Sequence, residues 1–142
     1  MLAALLFVGL AAAADPDRGD LHLVAQGLRN QSGEVLFMLF DSPGAWLEID
    51  RAVRVARVAP TDAEARITFA NLPPGEYAVG VIHDENRNGR MDMRWLPYPQ
   101  PGEGVGASNN APAKLGPPAY DDARFQLTLP ALTLPVTITY VK

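Results

Sequence analysis

Apolar and polar residues alternate with a period of two over much of the chain from residue 21 onward, and turn-forming residues separate the runs. Successive side chains of a strand point to opposite faces, so this alternation predicts half-buried strands rather than helices. Leu21, Leu23 and Ala25 alternate with His22, Val24 and Gln26 up to Gly27. Glu34 to Phe40 is apolar on both faces, which predicts a central strand covered on either side. Asp41-Ser42-Pro43 ends that run, and Ser42 before a proline predicts the capped start of a short helix carrying Trp46, Leu47 and Ile49. Val53 to Val58 reads as an edge strand, because Arg54 and Arg57 interrupt the apolar pattern. Ile67 and Phe69 lead through Asn71-Leu72-Pro73-Pro74-Gly75 into Tyr77, Val79 and Val81; Pro74-Gly75 suits the centre of a type II turn, so the two runs read as a hairpin. Phe125, Leu127 and Leu129, then Leu134, Val136, Ile138 and Tyr140, predict a closing hairpin. About seven strands and one short helix place the chain in the all-β class, as an immunoglobulin-like or transthyretin-like β-sandwich.

Two segments break the alternation. Met1 to Ala14 carries an apolar run and Ala12-Ala13-Ala14 before Asp15, the layout of a secretory signal peptide with its cleavage site. It is too short to span a bilayer. Residues 15–142 then form one domain in the periplasm or outside the cell, with no membrane span in the mature protein. From Met93 to Ala119 six prolines and four glycines leave no period, which predicts a long irregular loop. Holding such a loop in one conformation costs roughly 1–2 kcal/mol per residue, so something must fasten it.

Composition narrows the chemistry. The chain has no cysteine, which excludes disulfides, thiol catalysis and thiolate metal sites. A net charge of −4 gives no reason to expect a nucleic-acid partner.

The most informative stretch runs from His83 to Asp92, with side-chain oxygens at every second position. In a calcium loop of the EF-hand plan, ligands come from positions 1, 3, 5, 7 and 9, and glycine turns the chain at position 6. Those places hold Asp84, Asn86, Asn88, the carbonyl of Arg90, and Asp92, with Gly89 at the turn. Position 12, where a bidentate glutamate belongs, is Trp95, so the shell is expected to be completed from elsewhere, by a residue at the far end of the long loop such as Asp121 or Asp122, or by water. Arg87 and Arg90 offset the carboxylates, which points to weak Ca²⁺ binding, on the order of 10⁻⁴ to 10⁻³ M. The plainer reading is a polar turn whose Asp and Asn side chains cap their own backbone.

Other residues mark possible contacts with a ligand. His83 shares strand parity with Val81, which suits an imidazole bonded to a backbone carbonyl; a Ser-His-Asp device would need Ser108 beside it. Ser108, Asn109 and Asn110 otherwise read as hydrogen-bonding partners of loop backbone. Trp95, Tyr98 and Tyr120 would either stack on sugar rings or pack the loop onto the sheet. The leading expectation is a non-enzymatic domain whose calcium loop orders the long segment and which meets an unidentified envelope protein or glycan. A carbohydrate-binding module is the alternative, and a Ser/His hydrolase the third.

Four elements in combination carry a family resemblance: Leu72-Pro73-Pro74-Gly75-Glu76-Tyr77, His-Asp-x-Asn-x-Asn-Gly-x-x-Asp from His83 to Asp92, Ser108-Asn109-Asn110, and Gly116-Pro117-Pro118 through Asp121-Asp122-Ala123 to Phe125. In these the chain resembles a bacterial secreted or periplasmic family known as domain of unknown function 2141. The resemblance implies an extracytoplasmic β-sandwich and brings no activity with it. One departure is Arg87, where the family often carries glycine.

Overall fold

A computed structural model describes residues 16–89, 93, 94, 100–114 and 116–141, so the signal-like segment Met1 to Ala14 lies outside the described residues. The strands are β1 (Gly19–Gln26), β2 (Glu34–Phe40), β3 (Arg54–Val58), β4 (Glu64–Leu72), β5 (Glu76–Asp84), β6 (Met93–Arg94), β7 (Gln100–Pro101), β8 (Gly104–Ala107), β9 (Phe125–Gln126) and β10 (Ala131–Thr137). One α-helical turn, α1, spans Tyr120–Ala123. The smaller sheet has the order β10-β1-β4; the larger has β3-β2-β5-β8, with β9 also paired to β5, and β6 and β7 form a separate ribbon. The chain is therefore an all-β sandwich.

The alternation seen in the sequence becomes the packing. Leu21, Leu23 and Ala25 of β1 face Val35, Phe37 and Leu39 of β2 and Tyr77, Val79 and Val81 of β5 across the core. Each large apolar side chain buried there contributes about 1.5–3 kcal/mol. The second face of β2, with Leu36, Met38 and Phe40, is covered by Ala45, Trp46, Ile49 and Ala52 from the segment after it. Trp46 also reaches a third cluster of Ala78, Ala107, Tyr120 and Ala123, with its ring 5.9 Å from Tyr120 and its Nε1–H donated to Pro118 O at 2.8 Å.

Four local expectations are corrected. The turn Pro73-Pro74-Gly75 does not close a hairpin: β4 pairs with β1 and β5 with β2, so the turn carries the chain from one sheet to the other. The helix expected after Pro43 is a string of i→i+3 turns ending in a 3₁₀ turn at Ile49–Arg51, because Leu47 takes φ 63° and interrupts any α-helical ladder. The last two runs are not a hairpin either, since β9 pairs with β5 and β10 runs parallel to β1.

The fourth correction concerns the long loop, which contains a strand of the main sheet. Gly104–Ala107 pairs antiparallel with β5, Gly80 opposite Ala107 and His83 opposite Gly104. Its apolar alternation is hidden because two of its four residues are glycine. A Cβ on Gly104 would lie 2.4 Å from the Tyr140 ring, and one on Gly106 would lie 2.7 Å from Val136 Cγ1 and 2.9 Å from the Thr137 carbonyl. Here the two sheets are joined, Val105 and Thr139 exchanging both backbone hydrogen bonds at 3.0 and 2.9 Å.

Gly106→Ala should therefore destabilise the protein by about 1–3 kcal/mol through overpacking against backbone. Gly44→Ala, where a Cβ meets nothing within 4 Å, should stay within about 0.5 kcal/mol. Parallel urea melts of the two variants check both values.

Candidate functional site

The end of β5 delivers His83, Asp84 and Glu85 into a polar cluster joined by hydrogen bonds. His83 is wholly buried, with Nε2 2.7 Å from Ser32 O and Nδ1 2.7 Å from Tyr140 Oη. A carbonyl can only accept, so Nε2 carries a proton, and in the neutral imidazole the Tyr140 hydroxyl donates to Nδ1. Tyr140 Oη in turn accepts the Arg29 backbone N–H at 3.1 Å. The Arg29 guanidinium lies 4.5 Å from the Tyr140 ring centroid and donates to Glu85 Oε1 through Nε and Nη2. Asn30 Nδ2 donates to Glu85 Oε2 at 2.9 Å. Gly33 closes the cluster: at φ 67° its missing Cβ would stand 2.0 Å from Asp84 O.

Burial pushes the Glu85 carboxyl upward, but the hydrogen bonds from Asn30 and Arg29, together with the Arg29 charge, outweigh it and hold the group below its ordinary value. The segment after it folds around Asp84, which is 1% exposed. Asp84 Oδ1 accepts the Asn88 N–H at 3.2 Å, Oδ2 accepts the Gly89 N–H at 2.7 Å, and the backbone carbonyl accepts the Arg87 N–H at 3.3 Å. Asn86 Oδ1 shares the Asn88 N–H at 3.3 Å, so loop positions 1 and 3 converge on one donor. Arg87 adopts φ 57°, the conformation glycine takes freely, and so keeps the loop compact despite its side chain. Arg90 and Asp92 lie outside the described residues.

Asp121 and Asp122 do not belong to this set. They stand on α1, which is tied to the opposite end of β5 by the Arg124–Glu76 ion pair at 3.1 Å and the pairing of Phe125 with Tyr77. The seven residues from Tyr77 to Asp84 put them about 23 Å from the loop along the strand. Among the described residues no three His, Cys, Asp or Glu side chains group to hold a metal ion. The acidic residue that strand register carries to this end of β5 is Glu103, the one acidic residue between Asp92 and Asp121, which neither alternation nor motif spacing singles out. It is 5% exposed and immediately precedes Gly104, whose β5 partner is His83, while Glu34 of β2 pairs with Asp84 itself. The signal for it was a lone glutamate in a stretch otherwise rich in proline and glycine.

Ser108 is buried, accepts the Val79 N–H at 2.9 Å and donates to Ala123 O. It fills the gap on one edge of β5 between β9, paired at Tyr77, and β8, paired at Gly80. Four residues along β5 separate Val79 from His83, about 13 Å, so the structure does not bring the two side chains of a Ser-His device together. Asn109, at φ 59°, donates to the carbonyls of Asp122 and Arg124, and Asn110 Oδ1 accepts the Thr137 N–H at 3.0 Å. The triplet thus clips β5, the α1 segment and β10 together, and this clip with β8 fastens the second half of the long segment. Tyr120 is part of the packed cluster rather than a surface platform, while Trp95 and Tyr98 lie outside the described residues. No described helix is long and apolar enough to cross a membrane.

A family model described as "Uncharacterized protein conserved in bacteria (DUF2141)" matches residues 24–133. No curated protein and no solved structure matches the chain.

Ser108→Ala should cost about 1–3 kcal/mol in a denaturant melt, because it strands the buried Val79 N–H. The depressed Glu85 carboxyl stabilises the fold fully above the ordinary glutamate value of 4.5, and the stabilisation is lost as pH falls through the lower folded value. Glu85→Gln should therefore lower the melting temperature at neutral pH, with the gap to wild type closing in acid.

Proposed function

We propose, for a chain that belongs to the bacterial DUF2141 family, the role of a non-enzymatic extracytoplasmic β-sandwich whose β5 loop takes a weakly bound Ca²⁺. Met1 to Ala14 would serve as its export signal. The observation that carries the cation reading is the strand register that sets Glu103 and Glu34 at the same end of the larger sheet as the buried Asp84. Asp84 and Glu103 are brought to neighbouring strand ends by the β5–β8 register, with Glu34 on the other side of Asp84. Asp84 has accepted two N–H groups and a carboxylate offers about four lone-pair sites, which leaves capacity for a cation. Glu103 supplies the acidic ligand that the loop lacks at Trp95, in place of Asp121 and Asp122. The oxygens of Asn86, Asn88 and Asp92 and the Arg90 carbonyl make up the rest.

The cation acts on residues 90–103, since β8 and the Ser108-Asn109-Asn110 clip already hold the chain beyond them. The non-enzymatic reading is supported by the commitment of His83 and Ser108 to separate structural hydrogen bonds. The surface so ordered is the place for an envelope partner or glycan.

Calcium at about ten times its dissociation constant should stabilise the fold by about 1.4 kcal/mol. A rise of a few degrees in melting temperature is expected at millimolar Ca²⁺, reversed by chelator and reduced in Asp84→Asn and Glu103→Gln. A melting temperature indifferent to Ca²⁺ in the wild type would overturn the reading.

A further inference from the structure

The loop tip reads Asn88-Gly89. An asparagine followed by glycine is prone to attack on its own side chain, because glycine has no Cβ to hinder the approach of its nitrogen. In that reaction the Gly89 nitrogen gives up its proton and bonds to Asn88 Cγ. The Cγ–Nδ2 bond breaks, ammonia leaves with the proton, and water opens the five-membered imide at either carbonyl to leave aspartate or isoaspartate.

The attacking nitrogen is held back in the folded loop. Gly89 N–H donates to Asp84 Oδ2 at 2.7 Å, and the adjoining Asn88 N–H is bound to Asp84 Oδ1 and Asn86 Oδ1. Removing a proton from an N–H that faces a buried carboxylate would set two negative charges against each other at low dielectric. The bond to Asp84 must also break before the nitrogen can turn toward Cγ. Asn88 itself is exposed, so water reaches the imide once formed. We propose that Asn88 is a self-modification site, deamidating through Gly89, and that Asp84 guards it as long as the loop is folded. The product places a carboxylate at the fifth loop position, one more negative charge beside Asp84. The proposal does not depend on the cation reading.

The test incubates the full chain at neutral pH, folded and in concentrated urea, and follows each asparagine by peptide mass spectrometry and isoaspartate labelling. Asn88 should convert in both, about ten- to a hundredfold more slowly in the folded protein, the factor expected from one charge-assisted hydrogen bond. Asp84→Ala should remove most of that protection, and Gly89→Ala should suppress the conversion in urea. The folded-to-urea comparison in the wild type stands even if Asp84→Ala fails to fold. A folded rate equal to or above the urea rate overturns the guard, and no conversion of Asn88 in urea overturns the site.

Discussion

β5 has no free side, and the rest of the molecule answers to that constraint. One edge is paired with β2 from Ala78 to Asp84, and the other is shared among β9, the Ser108 hydroxyl and β8. One face carries Tyr77, Val79 and Val81 into the sandwich core, and the other carries Ala78 and Ile82 under covering segments. A strand enclosed in this way must have every backbone and side-chain polar group satisfied from within the protein. The long proline-rich segment owes its path to this need, since it supplies β8, Ser108 and the α1 region in turn.

The two ends of β5 meet the same demand differently. At Glu76 the solution is an exposed ion pair with Arg124 and a hydroxyl from Tyr120. At the other end buried His83 and Asp84 are satisfied by neutral hydroxyl, carbonyl and N–H groups, and the formal positive charge of Arg29 is taken up by Glu85. A second arginine, Arg57, reaches the same end and lies 3.9 Å from Glu34. There the buried Asp84 carboxylate is held by the Asn88 and Gly89 N–H groups.

Arg87 shows how far the loop's shape is imposed by its hydrogen bonds. For a residue with a Cβ the left-handed conformation costs roughly 1–2 kcal/mol, yet the loop keeps it. The bonds to Asp84 and Asn86 on the flanking N–H groups offset that cost. Residues 84–89 are thus held in shape by their own hydrogen bonds.

Much of the architecture was legible along the chain. Period-two alternation found β1, because a one-sided core leaves a one-sided pattern in sequence; a run apolar on both faces found β2, interrupting arginines marked the edge strand β3, and oxygen periodicity marked the Asp84 loop. What alternation cannot say is which strand pairs with which: the runs around Pro73-Pro74-Gly75 look like a hairpin from composition, yet β4 pairs with β1 and β5 with β2, in different sheets. β8 was invisible because its glycines are dictated by the approach of Val136, Ile138 and Tyr140 from far along the chain. The company kept by Asp84 was likewise beyond the sequence, since strand register brings Glu103 near and carries Asp121 and Asp122 away. Local chemistry is set by neighbours in the chain, whereas the partners of a buried group are set by which distant segments the core draws together.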